Sequence, residues 1–360
     1  MRNIVVLTIL IGCFAVAKGQ VFRGTVYDKE TGGTVYNAVI YVNGTSNGTT
    51  SDINGNFELD ISDFGTLPIT VSMLGYSTAT LTHHSTKIKH DIYLTPKIFE
   101  LNDVVITAKA NSKTPKNKQL KRISLGEPKS KAYLNQFKRF FLGDTKNARE
   151  CTIINEIDID FTYDLNDKTL RAYCRNPILI QNKALGYFIT YYLENFKYSD
   201  IQNKTGFLTE MVNLMGHYLF KDEIAKYPES EQRKIEKNRR LAYLGSRMHF
   251  FRLLYSGNIS QSGIYDLFLQ DKGLNEFYIS SDRPVDKDSF ISKGDSLTAK
   301  IVHRGELSIE YKFRKTKMNV LVDSVYFEKK GYFDPICIEF SGEMSKQLVG
   351  DLLPFEYQYR

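Results

Sequence analysis

The amino-acid sequence predicts a mainly β protein, with a seven-stranded β-sandwich near the N-terminus and a larger, strand-rich α+β region after it. About seven short alternating segments lie between residues 20 and 95, and clusters of turn-forming residues separate them at regular spacing. The 360 residues include 23 Tyr and 23 Phe but no Trp, and aromatic rings suit pleated, half-buried sheet surfaces. A chain of this length is expected to form two or three domains.

Residues 1–19 have the features of a signal peptide. Arg2 gives a short basic start, residues 4–17 are almost wholly apolar, and Ala17-Lys18-Gly19 puts small residues at both positions that a signal peptidase reads. The apolar run is too short for a permanent membrane anchor. We therefore expect an exported chain that begins at Gln20. Removing two basic residues lowers the net charge from +7 to +5, so nucleic acid is not an expected partner.

The cysteines leave two questions open. Leu10-Ile11-Gly12-Cys13 resembles the lipobox of a bacterial lipoprotein, although the apolar run continues beyond Cys13. The other three, Cys151, Cys174 and Cys337, are an odd number spread over a long chain, which is not a disulfide framework. One bridge with one buried thiol and three buried thiols fit the sequence equally well.

The stretch Tyr41–Ile61 predicts a strand, a Gly-rich turn, a short strand, a tight turn and another strand. Asn54 and Gly55 can take the positive φ angles of a tight hairpin turn, and the Asp52 side chain can hydrogen-bond back to the turn backbone. We assign Asp52, Asn54 and Gly55 to turn structure.

Gly24-Thr25-Val26-Tyr27-Asp28 and residues 44–57, GTSNGTTSDINGNF, resemble the carboxypeptidase-regulatory-like domain. The resemblance implies a transthyretin- or immunoglobulin-like sandwich with no peptidase activity of its own. Such domains are frequent at the mature N-termini of Gram-negative envelope proteins, which implies the periplasm or association with the outer membrane. Residues 101–108, LNDVVITA, resemble the strand that follows this domain in TonB-dependent receptors.

The predicted organisation is a signal peptide (1–19), the sandwich (20–95), a strand plus basic linker (96–131) and an uncharacterised α+β domain (132–360). The linker is rich in Lys and Arg and has no apolar period, so it is expected to be a solvated tether or an arm for an anionic surface.

Within residues 132–360 the pattern predicts three helices among many strands. The helices are expected at 132–142, 229–244 and 247–255, with Ser246 as the N-cap of the last. The strands are expected at 150–163, 169–174, 185–193, 216–221, 265–269, 276–280, 299–302, 307–313, 320–327 and 336–340. Residues 140–143 (FFLG), 238–246 (NRRLAYLGS) and 352–357 (LLPFEY) resemble uncharacterised bacterial proteins that carry the same regulatory-like domain, which implies an architecture but no activity.

Several groups could carry catalytic or metal chemistry, but a structural explanation is favoured for each. His303-Arg304-Gly305-Glu306 matches the first half of a zinc carboxypeptidase site, yet no His follows Glu306 to supply the third ligand. His83 and His84 would point to opposite faces of a strand, so at most one could join His90 on a metal.

A structural explanation is also favoured for two groups that contain acidic residues. Asp158 and Asp160 would lie about 7 Å apart on one strand face, where a solvated surface explains them better than glycoside chemistry. Asp52 and Asn54 lack the further carboxylates of a calcium loop. We predict no catalytic residue, no metal site and no cofactor.

Arg239, Arg240 and His249 are the most suggestive residues of the second region. They flank a predicted helix break near Ser246, whose exposed N–H groups could hold an anion or a partner. The favoured alternative is a helix junction whose arginines pair with Glu231, Glu236 or Asp222.

The sequence therefore predicts a non-enzymatic binding or structural protein of the cell envelope that engages a protein or glycan partner. One alternative is an integral outer-membrane β-barrel or a component of a TonB-dependent receptor system; aromatic strands favour the barrel, whereas the helices of 228–256 oppose it. A second alternative is an uncharacterised hydrolase centred on His249.

Overall fold

Three hydrophobic cores organise this computed structural model, which describes residues 20–97, 120–123, 130–164, 167–202, 208–270 and 276–359. The first core lies within residues 22–94, the second within 134–243 together with Val349 and Leu353, and the third within 250–344. We call these parts the sandwich, the central region and the C-terminal region. Residues 132–360, predicted as one α+β domain, thus contain two cores. The predicted signal peptide and most of the predicted linker lie outside the described residues.

The sandwich has the seven predicted strands in two sheets, with orders β4-β1-β7 and β3-β2-β5-β6. The strands are β1 (Val21–Asp28), β2 (Val39–Val42), β3 (Gly48–Thr50), β4 (Asn56–Asp60), β5 (Ile69–Ser72), β6 (Ala79–Leu81) and β7 (Lys89–Leu94). Alternation directs Phe57 and Leu59 of β4 into the core, where they join Phe22 and Val26 of β1. The predicted β-sandwich is confirmed.

The Asp52–Gly55 turn forms as predicted, but it is not a hairpin turn. The Asp52 carboxylate accepts hydrogen bonds from the N–H groups of Asn54 and Asn56, each at 2.8 Å. Gly55 alone has the positive φ, at 75°, whereas Asn54 does not. The turn joins β3 to β4, which belong to different sheets. Buried Ser51 fixes this crossing, because its hydroxyl accepts from the Ala38 N–H and donates to the Val35 carbonyl.

The central region is a seven-stranded sheet with helices packed against it. Its elements are β8 (Leu120–Ile123), α1 (Ser130–Phe141), α2 (Lys146–Arg149), β9 (Cys151–Ile153), β10 (Ile159–Asp164), β11 (Thr169–Cys174), β12 (Ile178–Asn182), β13 (Tyr187–Gln202), β14 (Leu208–Asp222) and α3 (Glu229–Tyr243). The order is β8-β10-β11-β13-β12-β9, and β14 pairs with the other side of β13. Helix α1 buries Leu134, Phe137 and Phe141, which share one face at helical spacing.

The predicted strand over residues 150–163 is wrong in one respect, because it is interrupted. The Asn155 side chain accepts from the Leu179 N–H at 2.8 Å and donates to the Pro177 carbonyl and to Asp158 Oδ2, each at 3.0 Å. These bonds draw residues 156–158 into a 3₁₀ turn, so β9 pairs with β12 and only β10 forms the expected hairpin with β11. Local side-chain competition for backbone groups explains the break.

The C-terminal region combines helices with two sheets, ordered β15-β16-β17-β20-β21-β23 and β18-β19-β22. Its elements are α4 (Arg247–Ser256), β15 (Asn258–Gln261), β16 (Asp266–Gln270), β17 (Glu276–Ser281), α5 (Lys287–Phe290), β18 (Ile291–Lys293), β19 (Thr298–Ile301), β20 (Gly305–Tyr311), β21 (Arg314–Val320), β22 (Val325–Glu328) and β23 (Ile338–Gly342). Ser246 caps α4 as predicted, since its Oγ accepts from the His249 N–H at 3.0 Å.

The strand predicted over 320–327 was wrong. Residues 321–324 separate β21 from β22, and the two strands lie in different sheets. Strand β21 escaped prediction because its exposed positions are charged, although Thr316, Met318 and Val320 alternate into the core. Among the described residues, no helix is long and apolar enough to span a bilayer.

The turn after β2 anchors the sandwich to the central region. Gly44 donates its N–H to the Tyr218 carbonyl, and Phe220 donates to the Thr45 carbonyl, both at 2.8 Å. The Asn43 side chain accepts from the Tyr218 N–H at 3.0 Å. This turn, residues 43–47, therefore bonds to the outer edge of β14 as a short strand would.

Residues close to the C-terminus cover the other side of the same turn. Phe355 donates its N–H to the Gly44 carbonyl at 2.9 Å, and Ser46 donates to Glu356 Oε1 at 2.6 Å. Thr45 is completely buried between these partners. We call the contact of residues 43–47 with β14 and residues 355–356 the seam.

Candidate binding site

The structure places Arg239 in an internal ion pair. Its guanidinium donates to both carboxylate oxygens of Asp222, at 2.7 and 2.9 Å, and its Nε donates to the Leu185 carbonyl at 2.7 Å. The group also lies 3.9 Å from the centre of the Tyr187 ring. Arg239 is only 7% exposed, so its hydrogen-bonding directions are taken up by the protein.

Arg240 and His249 lie in different surroundings. Arg240 is exposed and its guanidinium is 5.2 Å from the Tyr359 ring. The His249 ring is buried among aromatic rings, including Tyr243 and Phe277, and its Nδ1 accepts from the Gly245 N–H at 3.1 Å. The fold thus uses Arg239 and His249 for internal packing, and of these three residues Arg240 alone presents its charge to solvent.

The residues considered for metal or acid–base chemistry each contact different partners. Asp158 binds the side chains of Asn155 and Asn176, which lower the pKa of its carboxyl group, Asn176 most strongly. Glu306 accepts from Lys317 at 2.8 Å, whereas His303 packs against another ring. Within the described part of the chain, no group of three His, Cys, Asp or Glu is placed to hold a metal ion.

The three described cysteines are free thiols, so no disulfide forms among them. Burial raises the pKa of Cys151 and of Cys174 to about 12. Both groups therefore stay protonated at neutral pH and are poor nucleophiles.

A cavity of about 350 Å³ lies where the sandwich meets the C-terminal region. Its walls are the β6–β7 loop, the loop that follows β4, and Leu297. Most of the residues that line it are polar, and they include Gln20, Thr66, Thr82, His83, Thr86 and Lys87. Two loops carried on rigid sheets supply these groups, which is a common construction for a binding site.

His84 and His90 shape the β6–β7 loop from within. The Phe22 ring contacts both imidazoles, with its centroid 5.7 Å from that of His84 and 4.6 Å from that of His90. His90 Nε2 bonds to the Ser85 carbonyl at 2.7 Å, which ties the loop to β7. Burial lowers the pKa of His84, and its Nδ1 is buried with no hydrogen-bond partner among the described residues. His84 is therefore a neutral imidazole, and its unsatisfied Nδ1 is buried beside the cavity rather than exposed in it.

Sequence reasoning considered His83, His84 and His90 only as metal ligands on a wet loop. The signal for a cavity was the run Thr82-His83-His84-Ser85-Thr86-Lys87, in which every side chain is polar. A cavity could not be inferred from it, because the opposing wall comes from Leu297, more than two hundred residues away in the chain.

Behind the cavity wall, Glu328 of β22 accepts a hydrogen bond from Thr66 Oγ1 at 2.7 Å. Glu328 as a whole is 8% exposed. Burial raises its pKa to about 7, although the bond from Thr66 and the charge of Lys330 act in the opposite direction; nearby Asp295 raises it further. The contact between the sandwich and the C-terminal region thus contains a carboxyl group that is protonated below neutral pH.

This burial should make stability depend on pH. Between about pH 4.5 and 7 the unfolded chain releases the Glu328 proton while the folded protein keeps it, so the free energy of unfolding should fall as pH rises, by about 3 kcal/mol in total. Urea unfolding of the wild type and Glu328→Gln at pH 5 and pH 8 measures this. We expect Glu328→Gln to be the more stable protein at pH 8. Exposed Glu306→Gln is the control, and identical pH profiles for the wild type and Glu328→Gln would contradict the prediction.

A family model described as CarboxypepD_reg-like domain matches residues 22–106. The match begins at β1 and covers all seven strands of the sandwich. Residues 22–106 are a CarboxypepD_reg-like domain. A domain of this kind is not itself catalytic, and the resemblance stated from the sequence is confirmed. No curated protein matches the chain at a significant level.

The CarboxypepD_reg-like domain therefore contributes two loops to the cavity and the turn 43–47 to the seam. Its match accounts for less than a third of the 360 residues. The other cavity wall and all partners of the seam come from residues outside the family match.

Proposed function

We propose that this protein is a non-enzymatic binding protein of the cell envelope, exported to the periplasm or held at the outer membrane, and that it binds a glycan. The observation that carries the proposal is the polar cavity of about 350 Å³ between the sandwich loops and Leu297. Its volume falls within the range of small-molecule sites. CarboxypepD_reg-like domains are often found in envelope proteins, which supports the location.

The chemistry of the cavity suits sugar hydroxyl groups. Thr82 and Thr86 each offer a hydroxyl that both donates and accepts, and Gln20 offers an amide with both functions. Thr66 can only accept, because its hydroxyl donates to Glu328. His83 adds an exposed imidazole, whereas the Nδ1 atom of His84 is buried. Such a lining can exchange hydrogen bonds in both directions with a neutral polyol, which is what distinguishes a sugar from a purely anionic or purely apolar ligand.

The seam supports a binding role rather than a free spacer role for the sandwich. A spacer would need few contacts with the central and C-terminal regions, but here residues 43–47 bond to β14 and to residues 355–356. The hydrogen bond from Thr66 to Glu328 attaches the sandwich to the C-terminal region at a second place. Both cavity walls are therefore held at a constant separation, which limits the entropy lost when a ligand binds.

Isothermal titration calorimetry with N-acetylhexosamine and hexose oligomers tests the proposal. We expect one of these oligomers to bind the wild type, and Thr86→Val with His83→Ala to weaken that binding at least tenfold, because each removed partner leaves a sugar hydroxyl unsatisfied. Both positions lie on the surface loop, so the variants should fold.

Thr95→Val, an exposed sandwich threonine away from the cavity, is the matched control and should bind as the wild type does. Absence of binding to every oligomer, or equal binding by all three proteins, would contradict a glycan site in the cavity.

A further inference from the structure

The hairpin β20–β21 has an unusual turn at its tip. Tyr311 pairs with Arg314, so Lys312 and Phe313 form a two-residue loop. Both loop residues have positive φ, 48° for Lys312 and 66° for Phe313. Positive φ at both positions identifies a type I′ turn, which strongly favours Asn-Gly or a similar pair. Neither lysine nor phenylalanine is suited to this backbone conformation.

Burial of the Phe313 side chain does not compensate for this backbone strain. Its side chain is 94% exposed, the highest value among the large hydrophobic residues that the structure describes. Asn-Gly at this place would relieve the backbone and remove an exposed aromatic ring. A strained position that also exposes an apolar side chain points to a function outside the folded core.

The charged side chains at the tip are mainly basic, with Glu310 opposite Lys315 as the acidic neighbour. Lys312, Arg314 and Lys315 are exposed. Lys315 approaches Glu310 only at 4.0 Å on the surface, and among the described residues neither Lys312 nor Arg314 lies in an ion pair. The tip therefore presents one aromatic ring with cationic side chains on both sides of it in the sequence.

We propose that this tip docks onto an anionic phospholipid bilayer, with the Phe313 ring in the interfacial layer and Lys312, Arg314 and Lys315 against the lipid phosphates. Aromatic rings and basic side chains are the groups that favour this layer. A bilayer fits better than a protein partner, because a protein interface needs about 800 Å² on each side, whereas one convex turn offers little more than a single ring. The inference does not depend on the glycan site.

The chain contains no tryptophan, so Phe313→Trp makes the tip its own fluorescent reporter while keeping an aromatic ring there. The probes are vesicles of phosphatidylglycerol with phosphatidylcholine, with and without brominated acyl chains, and vesicles of phosphatidylcholine alone. We expect a blue shift of the emission and quenching by brominated chains with the anionic vesicles only. Because the reporter senses its own surroundings, vesicle binding through another part of the chain does not produce this signal.

Tyr326→Trp is the matched reporter, since Tyr326 is an exposed aromatic residue with a lysine, Lys300, over its ring at another place in the C-terminal region. Its emission should not respond to vesicles. An unchanged emission of Phe313→Trp, an equal response to phosphatidylcholine vesicles, or an equal response of Tyr326→Trp would each overturn the proposal.

A second variant separates the docking role from folding. Lys312→Asn with Phe313→Gly installs the pair that a type I′ turn favours, so the melting temperature should rise. The same variant should bind anionic vesicles at least tenfold more weakly in a sedimentation assay that compares full chains. A rise in melting temperature with unchanged vesicle binding would also overturn the proposal.

Discussion

Replacing Arg239 with alanine should lower the free energy of unfolding by about 3 kcal/mol. The change removes a guanidinium that bridges Asp222, the Leu185 carbonyl and the Tyr187 ring. Asp222 can regain water, because its side chain is 46% exposed. The buried carbonyl of Leu185 cannot, and the Tyr187 ring loses its covering group. Urea unfolding, with the midpoint and slope fitted together, measures the difference.

Arg240 provides a control at the adjacent position. Its exposed guanidinium has a ring contact with Tyr359 at 5.2 Å and no ion pair among the described residues, so Arg240→Ala should change stability by less than about 0.5 kcal/mol. Similar effects at the two positions would contradict the assignment of Arg239 to an internal structural role. If the Arg239→Ala protein were as stable as the wild type, Arg239 would again be a candidate for anion binding.

Replacing Gly44 with alanine should cost about 3 kcal/mol of stability. Gly44 has φ of 75°, and a Cβ atom there would lie 2.6 Å from Cε2 of Phe355. The substitution therefore adds left-handed backbone strain to a steric conflict inside the seam. Relief of that conflict requires the Phe355 ring to shift, although the Phe355 N–H is bonded to the Gly44 carbonyl.

Gly75→Ala isolates the backbone contribution. Gly75 has a similar φ of 85°, but a Cβ atom there would meet nothing within 4 Å, so only the strain of about 1–2 kcal/mol should appear. The difference between the two variants measures the steric part. We also expect proteases to separate the sandwich from the rest of the protein faster in Gly44→Ala than in the wild type, but not in Gly75→Ala. Equal destabilisation by both variants would show that the seam tolerates a side chain.

The parts of the fold that were predictable are those set by local chemistry. Asp52 and Gly55 determine their turn through a side-chain acceptor and a left-handed glycine, both visible in the sequence. Ser246 caps α4 for a similarly local reason. The family resemblance over residues 24–57 depended on the same turn residues, which is why the sandwich could be identified from so short a segment.

The parts that were not predictable depend on partners far away in the chain. Asn155 interrupts a well-alternating strand only because Leu179 and Pro177 are beside it. For Arg239 the sequence offered Glu231, Glu236 or Asp222 as partners, and the fold selects Asp222. The cavity needs Leu297 for its second wall. In each case the sequence indicated the chemistry of the residue, and tertiary packing selected its partner.

The seam also sets an order of events during synthesis. The hydrogen bond from Ser46 to Glu356 joins residues 310 positions apart. At about 5–20 residues per second, roughly 15–60 s pass between the emergence of the two partners from the ribosome. During that interval the turn at residues 43–47 has no cover from residues 355–356. A chain that lacks residues 355–356 leaves this side of the turn uncovered, so we expect its residues 43–47 to be cleaved more readily by proteases.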